Sequence, residues 1–184
     1  AMKKVLEIRL VGSLNNYLQL GFFLGLAFLS KYSAIYFFLS LFLLIIIDKR
    51  TFTIIKNLNG VLVFLISFFL VLLPNIYWNI DNEWLTFYHT SSNANLSNLN
   101  LNLYEPLKFI VAQILMVGPV LFFSFMFMFR AFSFSFSFEN LFLLIFSLPI
   151  IIIVLIESFL VRANANWAAP ALISVFILFF NFVN

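Results

Sequence analysis

The chain has 184 residues, of which 64% are hydrophobic, 20% aromatic and 9% charged, and its formal net charge is +3. A soluble domain carries about 25% charged residues, so this composition argues against a water-soluble enzyme and a secreted scaffold. The ten cations are spread along the chain and form no phosphate-tracking patch, which argues against nucleic-acid binding. Without cysteine there is neither a disulfide nor a thiolate metal site. An integral membrane protein of the helical kind remains, because the apolar runs are long and mostly lack barrel-type alternation.

The first apolar stretch, residues 14–47, is too long for one membrane helix. A straight helix over this stretch would measure about 51 Å at 1.5 Å per residue, whereas the hydrocarbon core is about 30 Å thick. Polar residues around Lys31 interrupt the stretch near its middle. We therefore predict two short helices that turn around Lys31, one or both of them partly re-entrant or packed inside protein.

Three further runs reach the length of about 20 apolar residues that a membrane span requires. They are residues 58–78, 108–129 and 139–160. The run after Pro170 has 14 residues, or about 21 Å of helix, so we expect a piece of a longer protein, incomplete at both ends. The predicted fold is all-α: one transmembrane domain over 1–184, a polytopic bundle of about five to six membrane helices.

The cations predict an orientation in the membrane, because cytoplasmic loops are enriched in Lys and Arg. Cations precede the first helix pair and follow it, which places both of its ends in the cytoplasm and Lys31 at the outer tip. The following helices then alternate so that loops 79–107 and 161–170 are external. We accordingly expect a multi-pass protein of the inner (plasma) membrane.

Lys31 is the first candidate functional residue. A Lys near the bilayer centre costs about 2.5–3.5 kcal/mol on insertion scales, so it must lie at an interface or have a partner. It is either a turn residue that reaches the outer headgroups or a cation that binds a lipid phosphate or diphosphate.

The external segment before the last apolar run is the second candidate. It contains Arg162, Asn166 and Trp167, and Pro170 lies close to the predicted helix start. The N–H groups of a helix N-terminus together with Arg162 and Asn166 could bind an anion. Trp and Arg at this depth are equally typical of residues that anchor a helix at the interface.

The third candidate lies where residues 58–78 leave the membrane. Trp78, Asp81, Glu83 and Trp84 occur together there, and aromatic rings beside carboxylates suit a sugar, although an aromatic belt with solvated acids is the commoner explanation. His89 is the single histidine and has no second ligand at useful spacing. We therefore predict no metal site and no cofactor; a divalent metal is possible but nothing indicates it.

Four segments, in matching order and spacing, resemble bacterial GT-C glycosyltransferases of the protein-mannosyltransferase and aminoarabinose-transferase type. Residues 21–34 (GFFLGLAFLSKYSA) are similar to the pattern G-x-x-x-G-L-A-x-L-S-K-Y-T-A, and residues 74–87 (PNIYWNIDNEWLTF) to P-x-x-x-W-N-x-x-H-x-W-x-S-F. Residues 113–119 (QILMVGP) fit G-Q-x-x-x-x-G-P, and residues 161–171 (VRANANWAAPA) resemble x-x-x-P-N-W-P-A-P-A. The chain differs from the family where Asn82 stands at a position at which His is common, Glu83 at one at which Gly is common, and Ala168 in place of the Pro after Asn-Trp.

The resemblance implies an enzyme that transfers a sugar from a polyprenyl phosphate to an acceptor on the outer face of the inner membrane. The implied partners are that lipid-linked sugar, membrane lipid and an acceptor of unknown kind. The implied lipid-phosphate and substrate-binding residues are Lys31, Trp78, Arg162, Asn166 and Trp167.

The family places its catalytic carboxylate in a first external loop to which nothing in this chain corresponds. The chain therefore resembles the middle of such an enzyme, and we expect it to be inactive by itself. If the base lies within the chain, Asp81 and Glu83 are the fallback candidates. A solute transporter subunit or a non-catalytic membrane scaffold is the alternative reading of the same composition. The apolar middles of residues 58–78 and 108–129 weigh against transport.

Overall fold

The computed structural model describes residues 1–93, 101–131, 137–161 and 164–183, which form α-helices joined by short connections. No strand occurs within these ranges, in agreement with the predicted all-α fold. The chain divides into two compact units, Ala1–Thr86 and Phe87–Asn184. Each unit is described by itself.

The first unit contains a helix pair interrupted at Lys31, as the sequence predicts, followed by a long apolar helix. Its helices are α1 (Met2–Val11), α2 (Leu14–Ser30), a 3-10 turn (Tyr32–Ala34), α3 (Ile35–Ile47), α4 (Lys49–Ile55), α5 (Leu58–Asp81) and the beginning of α6 (Leu85–Asn93).

Helices α2 and α5 pack against each other and run in the same direction. Gly60, near the start of α5, lies beside the ring of Tyr17, near the start of α2. Further along both helices, Gly25 lies beside Val71. Because α3 runs between them in the chain, the parallel arrangement agrees with the predicted path out, back and out again.

Close backbone approach in this pair depends on glycine. A Cβ at Gly21 would collide with the backbone carbonyl of Phe64, and one at Gly25 would lie 2.8 Å from the Cβ of Val71. Small residues at helix interfaces are typical of membrane proteins, in which packing rather than water exclusion holds helices together. The hydroxyl of Ser67 donates to the carbonyl of Leu18 at 2.8 Å and adds a polar contact to the same interface.

An apolar cluster of the first unit lies beside these glycines and is largely aromatic. Leu24, Phe68 and Leu72 are buried, and the ring of Phe38 from α3 meets that of Phe68 edge to face at a centroid distance of 5.5 Å. Edge-to-face pairs contribute about 0.5–1.5 kcal/mol beyond their buried area. Helix α3 is therefore held against the α2–α5 pair.

An ion pair joins the two ends of the first helix pair. The guanidinium of Arg9 donates to Asp48 through Nε at 2.8 Å and through Nη2 at 3.2 Å. Asp48 also caps α4, because its Oδ2 accepts from the backbone N–H of Thr51 at 2.8 Å. Arg9 and Thr51 hold the pKa of Asp48 at about 2. Residues before α2 and after α3 thus lie at one end of the unit, as the cation pattern predicts.

The second unit begins with the remaining part of α6. A sharply bent helix pair follows, then two consecutive helices that form one long apolar stretch, and finally a shorter apolar helix. These are α7 (Tyr104–Val117), α8 (Pro119–Ala131), α9 (Phe138–Ile145), α10 (Leu148–Leu160), a 3-10 turn (Ala165–Trp167) and α11 (Ala169–Val183). Its buried apolar cluster consists of Val117, Phe125 and Val175.

The prediction of one helix over 108–129 is wrong, because α7 and α8 meet at an angle of 103°. Gly118 joins them with φ 89° and ψ 135°, a conformation that glycine adopts readily and other residues rarely do. Pro119 has no N–H and disfavours a helical conformation at the residue before it. The prediction rested on a count of apolar residues. Such a count does not register the backbone preferences of the Gly118-Pro119 pair, which bend the chain here.

Two helices among the described residues are long and apolar enough to cross a membrane, Leu58–Asp81 and Phe138–Leu160. The bent pair of α7 and α8 would be a third if it acts as one broken span. Helical stretches long and apolar enough to span a membrane are therefore confirmed over 58–78 and 139–160. The apolar helices Tyr32–Ile47 and Ala169–Asn181 are shorter.

Candidate functional site

Lys31 lies at the tip of the turn between α2 and α3. Its backbone N–H donates to the carbonyl of Ala27 at 2.9 Å, and its own backbone is extended, which ends α2. The 3-10 turn that follows begins at Tyr32 and leads directly into α3. Lys31 is exposed at this tip.

The end of α5 presents Trp78 outward and buries Asn79. Trp78 is 44% exposed, whereas Asn79 is completely buried. The Nδ2 group of Asn79 donates to the carbonyl of Asn75 at 2.9 Å and to its Oδ1 at 3.2 Å. The adjacent Trp-Asn pair therefore combines an outward aromatic surface with an inward polar anchor.

The turn after α5 has a strained backbone. Glu83 and Trp84 have φ values of 52° and 59°, in the left-handed region that costs a non-glycine residue about 1–2 kcal/mol. The N–H of Trp84 donates to the carbonyl of Asn79 at 2.8 Å and holds the turn. A left-handed backbone at Glu83 also explains why the family pattern favours glycine at this position.

Thr86, just after this turn, connects the end of α5 to the Lys31 turn. Its hydroxyl lies 2.8 Å from the phenol oxygen of Tyr32 and donates to Oδ1 of Asn79. Because Tyr32 follows Lys31 and Asn79 follows Trp78, these contacts bring Lys31 and Trp78 to the same end of the first unit. Within this unit the structure thus joins two of the sequence segments that carry the family resemblance.

The fallback acids belong to the same end of the first unit. Asp81 is the last residue of α5 and Glu83 lies in the strained turn, and both are exposed. No salt bridge to either acid occurs within the part of the chain that the structure describes. Neither acid has the fixed surroundings expected of a prepositioned catalytic base.

In the second unit, Gln113 connects α7 to the Asn166–Trp167 segment. Its Nε2 donates to the carbonyl of Ala165 at 2.8 Å, and its side chain is only 8% exposed. Asn166 is exposed and Trp167 half-buried in the 3-10 turn, and Pro170 is the second residue of α11. The predicted helix start near Pro170 is confirmed. Arg162 lies outside the described residues.

Gln113 belongs to one of the four motifs, but it was not among the predicted site residues. The available signal was a strongly polar residue inside an apolar run, which is expensive unless its groups are bonded. The convergence of Lys31 with Asn166 and Trp167 stays a prediction, because these residues belong to different units. Among the described residues, no group of three or more His, Asp or Glu side chains could hold a metal ion.

Comparisons with known proteins agree with the motif reading. Residues 5–78, from α1 into α5, match the family described as dolichyl-phosphate-mannose-protein mannosyltransferase. The chain is 29% identical over 164 residues to the lipid A galacturonosyltransferase RgtD of Rhizobium johnstonii, an alignment that covers 88% of this chain and 34% of that protein. The chain therefore spans about a third of the length of this curated relative. No solved structure matches it. The resemblance to GT-C glycosyltransferases of the protein-mannosyltransferase type, drawn from the four motifs, is confirmed by these matches.

Proposed function

We propose that this chain is part of an integral membrane glycosyltransferase that moves a sugar from a polyprenyl-phosphate donor to an acceptor on the outer face of the inner membrane. The observation that carries the proposal is the clustering of Lys31 and Trp78, from separate motifs, at one end of the first unit. The family match over residues 5–78 supports it. The name of the relative from Rhizobium supports transfer to a lipid acceptor.

The reaction makes two demands on the protein. A hydroxyl or amine of the acceptor attacks the anomeric carbon while the bond from that carbon to the lipid phosphate breaks. The departing phosphate must be stabilised by positive charge, and the acceptor proton must pass to a base. Lys31 is an exposed cation on a hydrogen-bonded turn, and we assign it to the departing phosphate.

Trp78 and the Asn166–Trp167 segment are the other residues that we assign to substrate binding. The exposed ring of Trp78 offers an apolar surface on which a sugar ring can stack. We assign Arg162, Asn166 and Trp167 to the phosphate or the sugar, as the family pattern implies.

We place the base for the acceptor proton outside this chain, since Asp81 and Glu83 are both exposed. The 184-residue chain by itself is therefore expected to catalyse no transfer. Loops 79–107 and 161–170 face the outside in this proposal.

The test compares two lysines of the first unit in the full-length enzyme that contains this chain. Lys31→Ala should lower turnover of a polyprenyl-phosphate sugar about 100-fold, the usual effect of losing one group that stabilises developing negative charge. Lys56→Ala is the matched control, because Lys56 follows α4 and its ammonium lies 4.3 Å from the ring of Phe52. The control should retain nearly full activity.

Three outcomes would contradict the proposal. Equal loss in the two variants would remove Lys31 from the site. Absence of turnover by the wild-type enzyme with any polyprenyl-phosphate sugar would favour a transporter subunit or a scaffold. Turnover by the isolated 184-residue chain at the rate of the longer enzyme would move the base to Asp81 or Glu83.

A further inference from the structure

At the end of the first unit that contains Lys31, a series of hydrogen bonds runs from Tyr32 through Thr86 to Asn79. It joins residues that are 54 and 7 positions apart in sequence. The strained turn at Glu83 and Trp84 returns the chain to the end of α5, where Thr86 contacts Asn79. Such strain persists where the surrounding contacts fix the backbone, and it is concentrated at functional sites.

The donor and the acceptor of each bond follow from the last group in the series, the carbonyl of Asn75. The carbonyl of Asn75 can only accept, so the amide of Asn79 must turn its Nδ2 toward it and its Oδ1 toward Thr86. Thr86 therefore donates its single hydroxyl proton to Asn79. Its contact with Tyr32 must then be one in which the phenol donates and Thr86 accepts. The hydroxyl at position 86 thus both accepts and donates, which an apolar side chain of the same shape cannot do.

We propose that Thr86 is a positioning residue that fixes the Lys31 turn to the end of α5 and thereby sets the affinity for the donor phosphate. The proposal rests on the proposed function, since it takes Lys31 as the phosphate ligand. Thr86 acts through Tyr32, the neighbour of Lys31, and through Asn79, the neighbour of Trp78. One hydroxyl thus sets the relative position of the proposed phosphate-binding and sugar-binding residues.

The chain offers a matched set of variants. Thr86→Val has nearly the same shape but loses both hydrogen bonds, whereas Thr86→Ser retains a hydroxyl. Thr53→Val is the control for the chemical change, because the hydroxyl of Thr53 donates to the carbonyl of Lys49 at 2.9 Å on the exposed surface of α4.

The first experiment measures KM and kcat for the polyprenyl-phosphate sugar with the full-length enzyme. Thr86→Val should raise the donor KM about 10-fold, because loss of the two bonds releases the Lys31 turn and weakens the phosphate contact by about as much as one well-placed hydrogen bond contributes. Thr86→Ser and Thr53→Val should both stay close to wild type. In a Lys31→Ala background the Thr86→Val change should no longer raise KM. An unchanged KM in Thr86→Val, or the same increase with and without Lys31, would overturn the proposal.

The second experiment does not depend on activity. A spin label attached at Lys31→Cys in the full-length enzyme reports the mobility of the turn, and the 184 residues contain no other cysteine. Thr86→Val should increase the mobility of the label, whereas Thr86→Ser and Thr53→Val should not. Unchanged mobility in Thr86→Val would refute the positioning role. If wild type uses no polyprenyl-phosphate sugar, the proposed function fails, and label mobility alone then decides whether Thr86 fixes the turn.

Discussion

Replacing Gly21 by alanine tests the packing of α2 against α5. The added Cβ would collide with the carbonyl of Phe64 and would lie 2.9 Å from the Cβ of Ser67 and 3.0 Å from the backbone nitrogen of Phe68. Two of these three atoms belong to the backbone of α5 and cannot turn away. The two helices must therefore move apart along part of their contact.

The free energy of unfolding follows from three opposing terms. Alanine gains about 0.5–1 kcal/mol over glycine in a helix, whereas overpacking costs about 1–3 kcal/mol. Separation of the helices would also break the hydrogen bond from Ser67 to Leu18, which contributes about 1 kcal/mol. The net expectation is a loss of about 1–3 kcal/mol.

The neighbouring glycine gives a graded comparison. Gly25→Ala should cost less than Gly21→Ala, because its shortest contact is 2.8 Å, to the Cβ of Val71, whereas the Cβ added at Gly21 overlaps the carbonyl of Phe64 more deeply. Leu26→Ala is the control on the same helix, since the side chain of Leu26 is 44% exposed.

Thermal unfolding in detergent, followed by circular dichroism, measures these differences. Each kcal/mol should shift Tm by about 2–4 °C for a chain of this size. If Gly21→Ala is as stable as wild type, or loses no more than Leu26→Ala, the close packing of α2 and α5 is refuted.

Three other predictions concern the ends of the first unit and the connecting loops. The pKa of Asp48 falls from 3.8 to about 2, so the stability that Asp48 contributes is complete above pH 3.8 and is lost as the pH falls toward 2. Arg9→Gln should remove about 1–2 kcal/mol of this stability after solvent screening and should flatten the dependence of Tm on pH. An unchanged slope of Tm against pH would count against the ion pair. Glu83→Gly should raise stability by about 1 kcal/mol by relieving the left-handed backbone, and a lower Tm would show that this turn is not strained. In intact cells an impermeant thiol reagent should label Ser92→Cys but not Ser135→Cys, and the reverse pattern would invert the predicted topology.

The helix pair around Lys31 could be predicted because a physical limit forces it. A helix over 14–47 would exceed the bilayer core, and the polar residues beside Lys31 mark where it must turn. The long spans over 58–78 and 139–160 follow from the same count of apolar residues. Hydropathy alone decides these features, and hydropathy can be read from one sequence.

The bend at Gly118 and the contacts of Thr86 depend on other physics. The bend arises from backbone preferences of a Gly-Pro pair, which a count of apolar residues ignores. The contact between Tyr32 and Thr86 joins positions 54 apart, and one sequence carries no signal for which distant hydroxyl meets which phenol. The left-handed turn at Glu83 was visible only as a departure from the glycine of the family pattern.

Each compact unit links two of the four motifs through a buried amide side chain. In the first unit the amide of Asn79, through Thr86 and Tyr32, ties the segment that contains Trp78 to the turn that contains Lys31. In the second, the amide of Gln113 ties α7 to the Asn166–Trp167 segment through the carbonyl of Ala165. A buried amide group is costly unless it is bonded. Both ends of the Asn79 amide are bonded, whereas in Gln113 the Nε2 group is bonded and Oε1 is buried without a partner among the described residues. Neither amide has to meet a substrate for its motif to depend on it, and substitution of either should disturb exposed residues of the site that it does not itself form.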